Sequence, residues 1–229
     1  MPFGLNISGG DFLPIVKYDA RAGRFVRNDR DEETGERKPV DISDGLEFLP
    51  DFEHAEKGWA DFQPGQAPDF VMVPVEAKDL PPQPSKNHRQ AVRLRLLLSA
   101  KAAGGTERLR EIATTANTAL YGFGALYDQW LANREHNPGK APLVRLTGVK
   151  AVTSGGARQR STNYEPQFTI MKWVNIPEAF ETAPERRTAA PNGSAAADDY
   201  KAAKSGSAKA PAVPAKAPPP PENEEDDFG

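Results

Sequence analysis

The chain contains no cysteine, only three methionines, three tryptophans and three histidines, and no long apolar run. Without cysteine there is no disulfide framework, no thiolate metal site and no thiol nucleophile, and a reducing compartment is the expected setting. The three histidines, His54, His88 and His136, lack the close paired spacing of a zinc site, so no metal is expected. No stretch approaches the roughly 18 apolar residues that read as a membrane helix, so membrane spanning is not expected. The first residues have no basic segment followed by an apolar core, so no secretory signal is read there. Catalytic fingerprints are also missing. There is no phosphate-binding Gly-x-x-x-x-Gly-Lys-Ser/Thr loop, no Gly-x-Gly-x-x-Gly, no Gly-x-Ser-x-Gly elbow and no His-Glu-x-x-His. The expectation is a protein that catalyses no reaction and takes no cofactor.

What is present is a strong sorting of charge. The net charge of −3 comes from 29 Lys/Arg and 32 Asp/Glu. Residues 1–85 hold 9 basic and 17 acidic side chains, residues 86–172 hold 14 and 5, and the last eight positions hold five acids. Residues 1–180 balance at 23 of each sign, so the whole net charge belongs to the remainder.

That remainder reads as a separate region. After Phe180, the 49 remaining residues include 13 Ala and 8 Pro, with Tyr200, Val213 and Phe228 as the only larger apolar side chains. Such a composition buries too little apolar surface to offset an ordering cost of roughly 1–2 kcal/mol per residue, and it is expected to be disordered. The expected division is a folded domain over 1–180, an Ala/Pro/Lys-rich linker over 181–221 and an acidic tip over 222–229. Asn28–Lys38 reads as a mobile polar loop within the domain.

The folded part is mostly strand-like, giving a mainly β, α+β class. Phe12–Tyr18 and Arg24–Arg27 flank a turn, and Leu46–Phe52, Trp59–Phe62 and Phe70–Val75 are further strands. Val92, Leu94, Leu96 and Leu98 alternate with Arg93, Arg95, Leu97 and Ser99, the period of a strand with one buried and one partly basic face. From Thr106 as N-cap, Leu109, Ile112, Ala113, Ala116, Leu120, Phe123, Leu126, Trp130 and Leu131 follow helical spacing, with Gly122 and Gly124 as a break between two helices. Leu143–Val152 and Tyr164–Val174 then form a long-looped hairpin. Strands, a helical insertion and a closing hairpin match an OB-like five-stranded barrel with long loops and a disordered C-terminal tail. A general α+β sheet with a helix on one face is the alternative.

The basic half supplies candidate binding residues. Arg89, Arg93, Arg95, Arg145, Lys150, Arg158, Arg160 and Lys172 lie on or beside three predicted strands, where they could neutralise phosphates. Lys150, Arg158 and Arg160 flank Gly155-Gly156 in a basic finger. Among the aromatics, Tyr164, Trp173 and Trp59 are candidates for stacking on bases. Alternation puts Phe168 with Ile170 and Lys172 on one face, as core, and Trp173 on the other; Trp59 and Phe62 fit core anchoring and base stacking equally.

A basic and aromatic body, a Pro/Ala-rich spacer and the tip Glu224-Glu225-Asp226-Asp227-Phe228 resemble the single-stranded DNA-binding proteins of bacteria and their phages. Asn137-Pro-Gly-Lys-Ala-Pro-Leu-Val and Thr162-Asn-Tyr-Glu-Pro-Gln-Phe are similar to phage and prophage members of that functional class. The sequence departs from the bacterial pattern in that Gly229 follows Phe228 and no Ile-Pro precedes it. The resemblance implies a sequence-independent single-stranded DNA-binding protein of replication, recombination or repair, cytoplasmic in a bacterial host cell or at its nucleoid. It also implies an acidic tip, Glu224, Glu225, Asp226, Asp227 and Phe228, that recruits replication and repair proteins, and it is compatible with a homo-oligomer. Two alternatives stand beside it: an accessory replication factor that docks proteins and binds no DNA, and a carboxylate-dependent nuclease.

Overall fold

The computed structural model describes residues 13–30, 34–155 and 160–183. By density of contacts the chain divides into Met1–Pro191 and Asn192–Gly229, and all described residues belong to the first unit.

The unit is mainly β, with antiparallel sheets. A three-stranded sheet holds β1 (Val16–Asp19), β2 (Arg24–Arg30) and β3 (Arg37–Asp41) in that order. A seven-stranded sheet is built from β4 (Glu47–Pro50), β5 (Glu56–Asp61), β6 (Asp69–Pro74), β7 (Arg89–Leu98), β8 (Leu109–Thr114), β9 (Lys140–Ser154) and β10 (Ser161–Asn175). Its order is β10-β9-β4-β7-β5-β6, with β8 also paired to β7. Neither sheet closes on itself as a barrel.

The long strand β7 organises the larger sheet. Its alternation is as expected: Leu94, Leu96 and Leu98 lie in the core, and Arg93 and Arg95 share the other face. One edge of β7 carries β8, and the other carries β4 and β5 in succession. Pro50 pairs with Leu96 and Glu56 with Arg93, so the five residues Asp51–Ala55 stand opposite only two. β4 and β5 are thus successive partners of one edge of β7, and the sheet continues separately from each. The β9–β10 hairpin continues from β4, and β6 from β5.

Between β8 and β9 runs the main helix, α2 (Asn117–Asn133). It lays Ala119, Phe123, Leu126 and Trp130 on a core shared with Val16, Phe25, Phe48, Leu96 and Ile112. Aromatic rings form its centre: Phe168 lies 5.1 Å from Phe123, 5.7 Å from Phe48 and 6.0 Å from Phe25. Tilted and edge-on pairs of this kind add about 0.5–1.5 kcal/mol each beyond the area they bury.

Four expectations are corrected. Leu109–Thr114 is not the first part of a helix but strand β8, because its residues complete a ladder with Val92–Leu97. A spacing of three and four residues over so short a run fits either element, and tertiary pairing decides. Ser99, rather than Thr106, caps a helix, the single turn α1 (Ala100–Ala103). The helix α2 is also continuous through both glycines. Gly122 serves close packing instead, since a Cβ there would come within 2.5 Å of the Pro166 carbonyl oxygen on β10. Finally, within the polar stretch Asn28–Lys38, expected to be a mobile loop, residues 28–30 and 37–38 belong to β2 and β3, paired through Arg30 and Arg37, while 31–33 lie outside the described residues.

Candidate nucleic-acid interface

The expected binding residues separate into buried and exposed sets. Arg93 and Arg95 share a face of β7, but that face is covered. Arg93 is 9% exposed; its Nε lies 2.8 Å from Glu111 Oε1, and its guanidinium stacks 5.0 Å from the Phe70 ring. Arg95 is 7% exposed, and its Nη1 lies 3.6 Å from Asp51 and donates to the Phe180 carbonyl. The short helix α3 (Glu178–Glu181) places Phe180 among Leu109, Ala141, Leu49 and Leu97 on this side of the sheet. Both arginines are therefore corrected from phosphate contacts to structural ion pairs. Their carboxylate partners come from β4's end and β8, segments that local sequence could not assign to them.

Of the aromatics, Trp173 is corrected in the same direction. Trp59 is half-buried, and its indole N–H donates to the Pro81 carbonyl at 2.7 Å. Trp173 packs against the main core. The pairing along β10 slips at Met171: Ile170 stands opposite Val144, and Lys172 opposite Leu143. That extra residue reverses the phase, so Trp173 joins Phe168 and Ile170 inside while Met171 is exposed. Tyr164 is half-buried at the β1–β2 turn, where its N–H donates to Ala20 and its carbonyl accepts from the Tyr18 hydroxyl at 2.8 Å.

Burial pushes the Tyr18 phenol up to about 12, with the charges of Asp19 and Glu165 adding to the effect. The fold favours the neutral phenol, so its contribution to stability is present below pH 10 and lost as pH rises through 12. A spectroscopic titration of tyrosinate should lose its highest step in Tyr18→Phe.

The exposed set is Arg89, Arg145, Lys150, Arg160 and Lys172. Arg145 is tied to Glu47, Nε to Oε1 at 2.8 Å, because β4 lies between β7 and β9 and brings that acid across. Lys150 stands opposite Glu165 in the β9–β10 register. Arg89, Lys150, Arg160 and Lys172 make no ion pair among the described residues. Arg158 and the tip residues Glu224, Glu225, Asp226, Asp227 and Phe228 lie outside the described residues.

Four of these exposed cations share one ribbon. β4 reaches β9 only at Val144 and Arg145; beyond Leu146 the two arms pair with each other, with Tyr164 bonded to Ala20 and Tyr18, and Pro166 packed against Gly122 of α2. From Lys140 to Ile176 the sequence holds six Lys/Arg and one acid, Glu165. Arg145, Lys150, Arg160 and Lys172, drawn from the basic half of the sequence, thus lie on or beside the two strands of one hairpin.

Sequence reading missed the most buried charged group. Arg110 is 2% exposed, with Nη2 2.8 Å from Asp29 Oδ1 and 2.7 Å from the Thr106 hydroxyl. Asp29 Oδ2 lies 2.8 Å from Arg27 Nε, and Arg27 Nη1 donates to the Ala102 carbonyl at 2.6 Å. Assigning Leu109–Thr114 to a helix hid this cluster; the strand period of β8 would have placed Arg110 on the same face as Ile112.

Of the histidines, His54 Nδ1 lies 2.9 Å from Asp51, and buried His88 sits between the Ser85 hydroxyl at 2.9 Å and Asp69 at 3.3 Å. Among the described residues no group of three or more acids and histidines is placed to hold a metal ion, and no helix is long and apolar enough to cross a membrane. Comparison with known protein families, curated proteins and solved structures finds no significant match.

Proposed function

We propose that this protein binds single-stranded DNA without sequence preference, with the β9–β10 ribbon as its main phosphate contact, in replication, recombination or repair of a phage or its bacterial host. The observation that carries this reading is the ribbon's charge: six cations and one acid from Lys140 to Ile176, with Lys150, Arg160 and Lys172 exposed and unpaired among the described residues. Cations of this kind release counterions from phosphates, and a narrow ribbon suits a strand that can wrap it. Arg145 would join them at the cost of its exposed pair with Glu47, and such exposed pairs are worth only about 0–1 kcal/mol.

The same reading takes the body as an OB-like barrel. Two contacts support it: Ile15 bridges Glu111 of β8, and Ala20 accepts from Tyr164 of β10. Through them the first hairpin links the two ends of the β8-β7-β4-β9-β10 path. The acidic tip would recruit replication and repair proteins, and the protein would act in the cytoplasm without catalysing a reaction.

The test is titration with oligo-dT at low salt, followed by gel shift and tryptophan fluorescence. A complex whose affinity falls steeply with added salt is expected. Absence of any complex, together with a protein partner that survives nuclease treatment, would instead select the accessory factor that binds no DNA.

A further inference from the structure

Away from the ribbon, at the far end of β7, the structure holds an aromatic ring in an unusual setting. Phe62, just past β5, is 44% exposed. Its ring meets Phe70 of β6 edge-on, centroids 5.8 Å apart at 86°. Phe70 in turn carries the Arg93 guanidinium 5.0 Å from its centroid, and Arg93 is fixed by Glu111. An exposed phenyl ring is thus buttressed by a second ring and a buried ion pair, which leaves it little rotational freedom to lose on binding.

The strand register brings a cation to the same end of the sheet. Arg89 pairs with Ala60 of β5, two residues before Phe62 in the chain, and is exposed with no ion pair among the described residues. Diagonal neighbours in a sheet lie about 7–8 Å apart, within reach of a long side chain. The nearby acids are otherwise engaged: Asp61 accepts from Gln63 at 2.8 Å, and Asp69 lies 3.3 Å from His88 Nε2. The apolar part of the patch is two rings, far less than the roughly 800 Å² per partner of a specific protein interface. One ring with one adjacent cation matches one nucleotide, base on ring and phosphate on guanidinium.

We infer that Phe62 and Arg89 form a second contact for the single strand, in which an unpaired base stacks on Phe62 and its phosphate meets Arg89. The inference rests on the proposed DNA binding and adds residues at the opposite end of β7 from the ribbon.

The test compares wild type with Phe62→Ala, Phe62→Leu and Phe62→Trp on oligo-dT and on the same oligomer with abasic positions. Stacking is worth about 1–3 kcal/mol per base, so Phe62→Ala should weaken oligo-dT binding by about 5- to 150-fold. Phe62→Trp should keep affinity, with its new fluorescence quenched on binding. The fully abasic oligomer should bind wild type and Phe62→Ala alike. Phe62→Leu keeps the apolar bulk without a π face and carries the same readout if the alanine variant fails to fold. Equal binding of oligo-dT by wild type and both apolar variants overturns the second contact while leaving the function standing. Failure of the wild type to bind oligo-dT overturns both.

Discussion

Asp29→Asn is expected to destabilise the folded unit by about 3–5 kcal/mol, the cost of removing one partner from a buried ion pair. Asp29 gives one carboxylate oxygen to Arg110 and the other to Arg27, each at 2.8 Å, and the two arginines are 2% and 8% exposed. No second carboxylate pairs with either guanidinium among the described residues. The amide of asparagine would leave two buried cations facing a neutral group that presents a donor to one of them. For a unit of this size, about 2–4 °C of melting temperature accompanies each kcal/mol, so a fall of roughly 6–20 °C should appear in thermal unfolding followed by circular dichroism. The loss should persist in high salt, because buried pairs are screened far less than exposed ones such as Arg145 and Glu47. A shift of a degree or less would mean that water reaches the cluster in solution.

Reversing the charge of the ribbon should act on binding and leave the fold intact. Arg160 and Lys172 are exposed and make no ion pair among the described residues, so Arg160→Glu with Lys172→Glu removes no described ion pair. Each phosphate contact to a single strand contributes about 0.7 to the slope of log affinity against log salt. Two lost contacts should therefore flatten the slope by about 1.4 units, and the added acids should weaken binding further at low salt. The check is a titration of oligo-dT at several salt concentrations with the melting temperature measured alongside. An unchanged slope would place the phosphates elsewhere on the molecule.

The two experiments separate charges that look alike in the sequence. Arg93, Arg95, Arg110, Arg160 and Lys172 all lie in one basic half, yet three are buried in ion pairs and two stand on an exposed ribbon. Most strands were legible, including β7 and the closing hairpin, since a two-residue alternation is a local property of the chain. β8 was not, because six residues fit two periods and only the ladder with β7 selects one. On β10 the alternation held up to the slip at Met171, past which Lys172 is exposed and Trp173 packs on the core.

The order and types of residues alone established that this chain lacks thiol chemistry, that its excess of cations falls in residues 86–172, and that its first 180 residues carry a strand-rich pattern. Tertiary structure decided which of those cations are available. Whether an arginine on a strand meets water or a carboxylate depends on chain brought from far away: Asp29 is 81 residues from Arg110, and Glu47 is 98 from Arg145. A buried guanidinium must find such a partner because leaving it unpaired costs several kcal/mol, and local pattern carries no record of where the partner will come from.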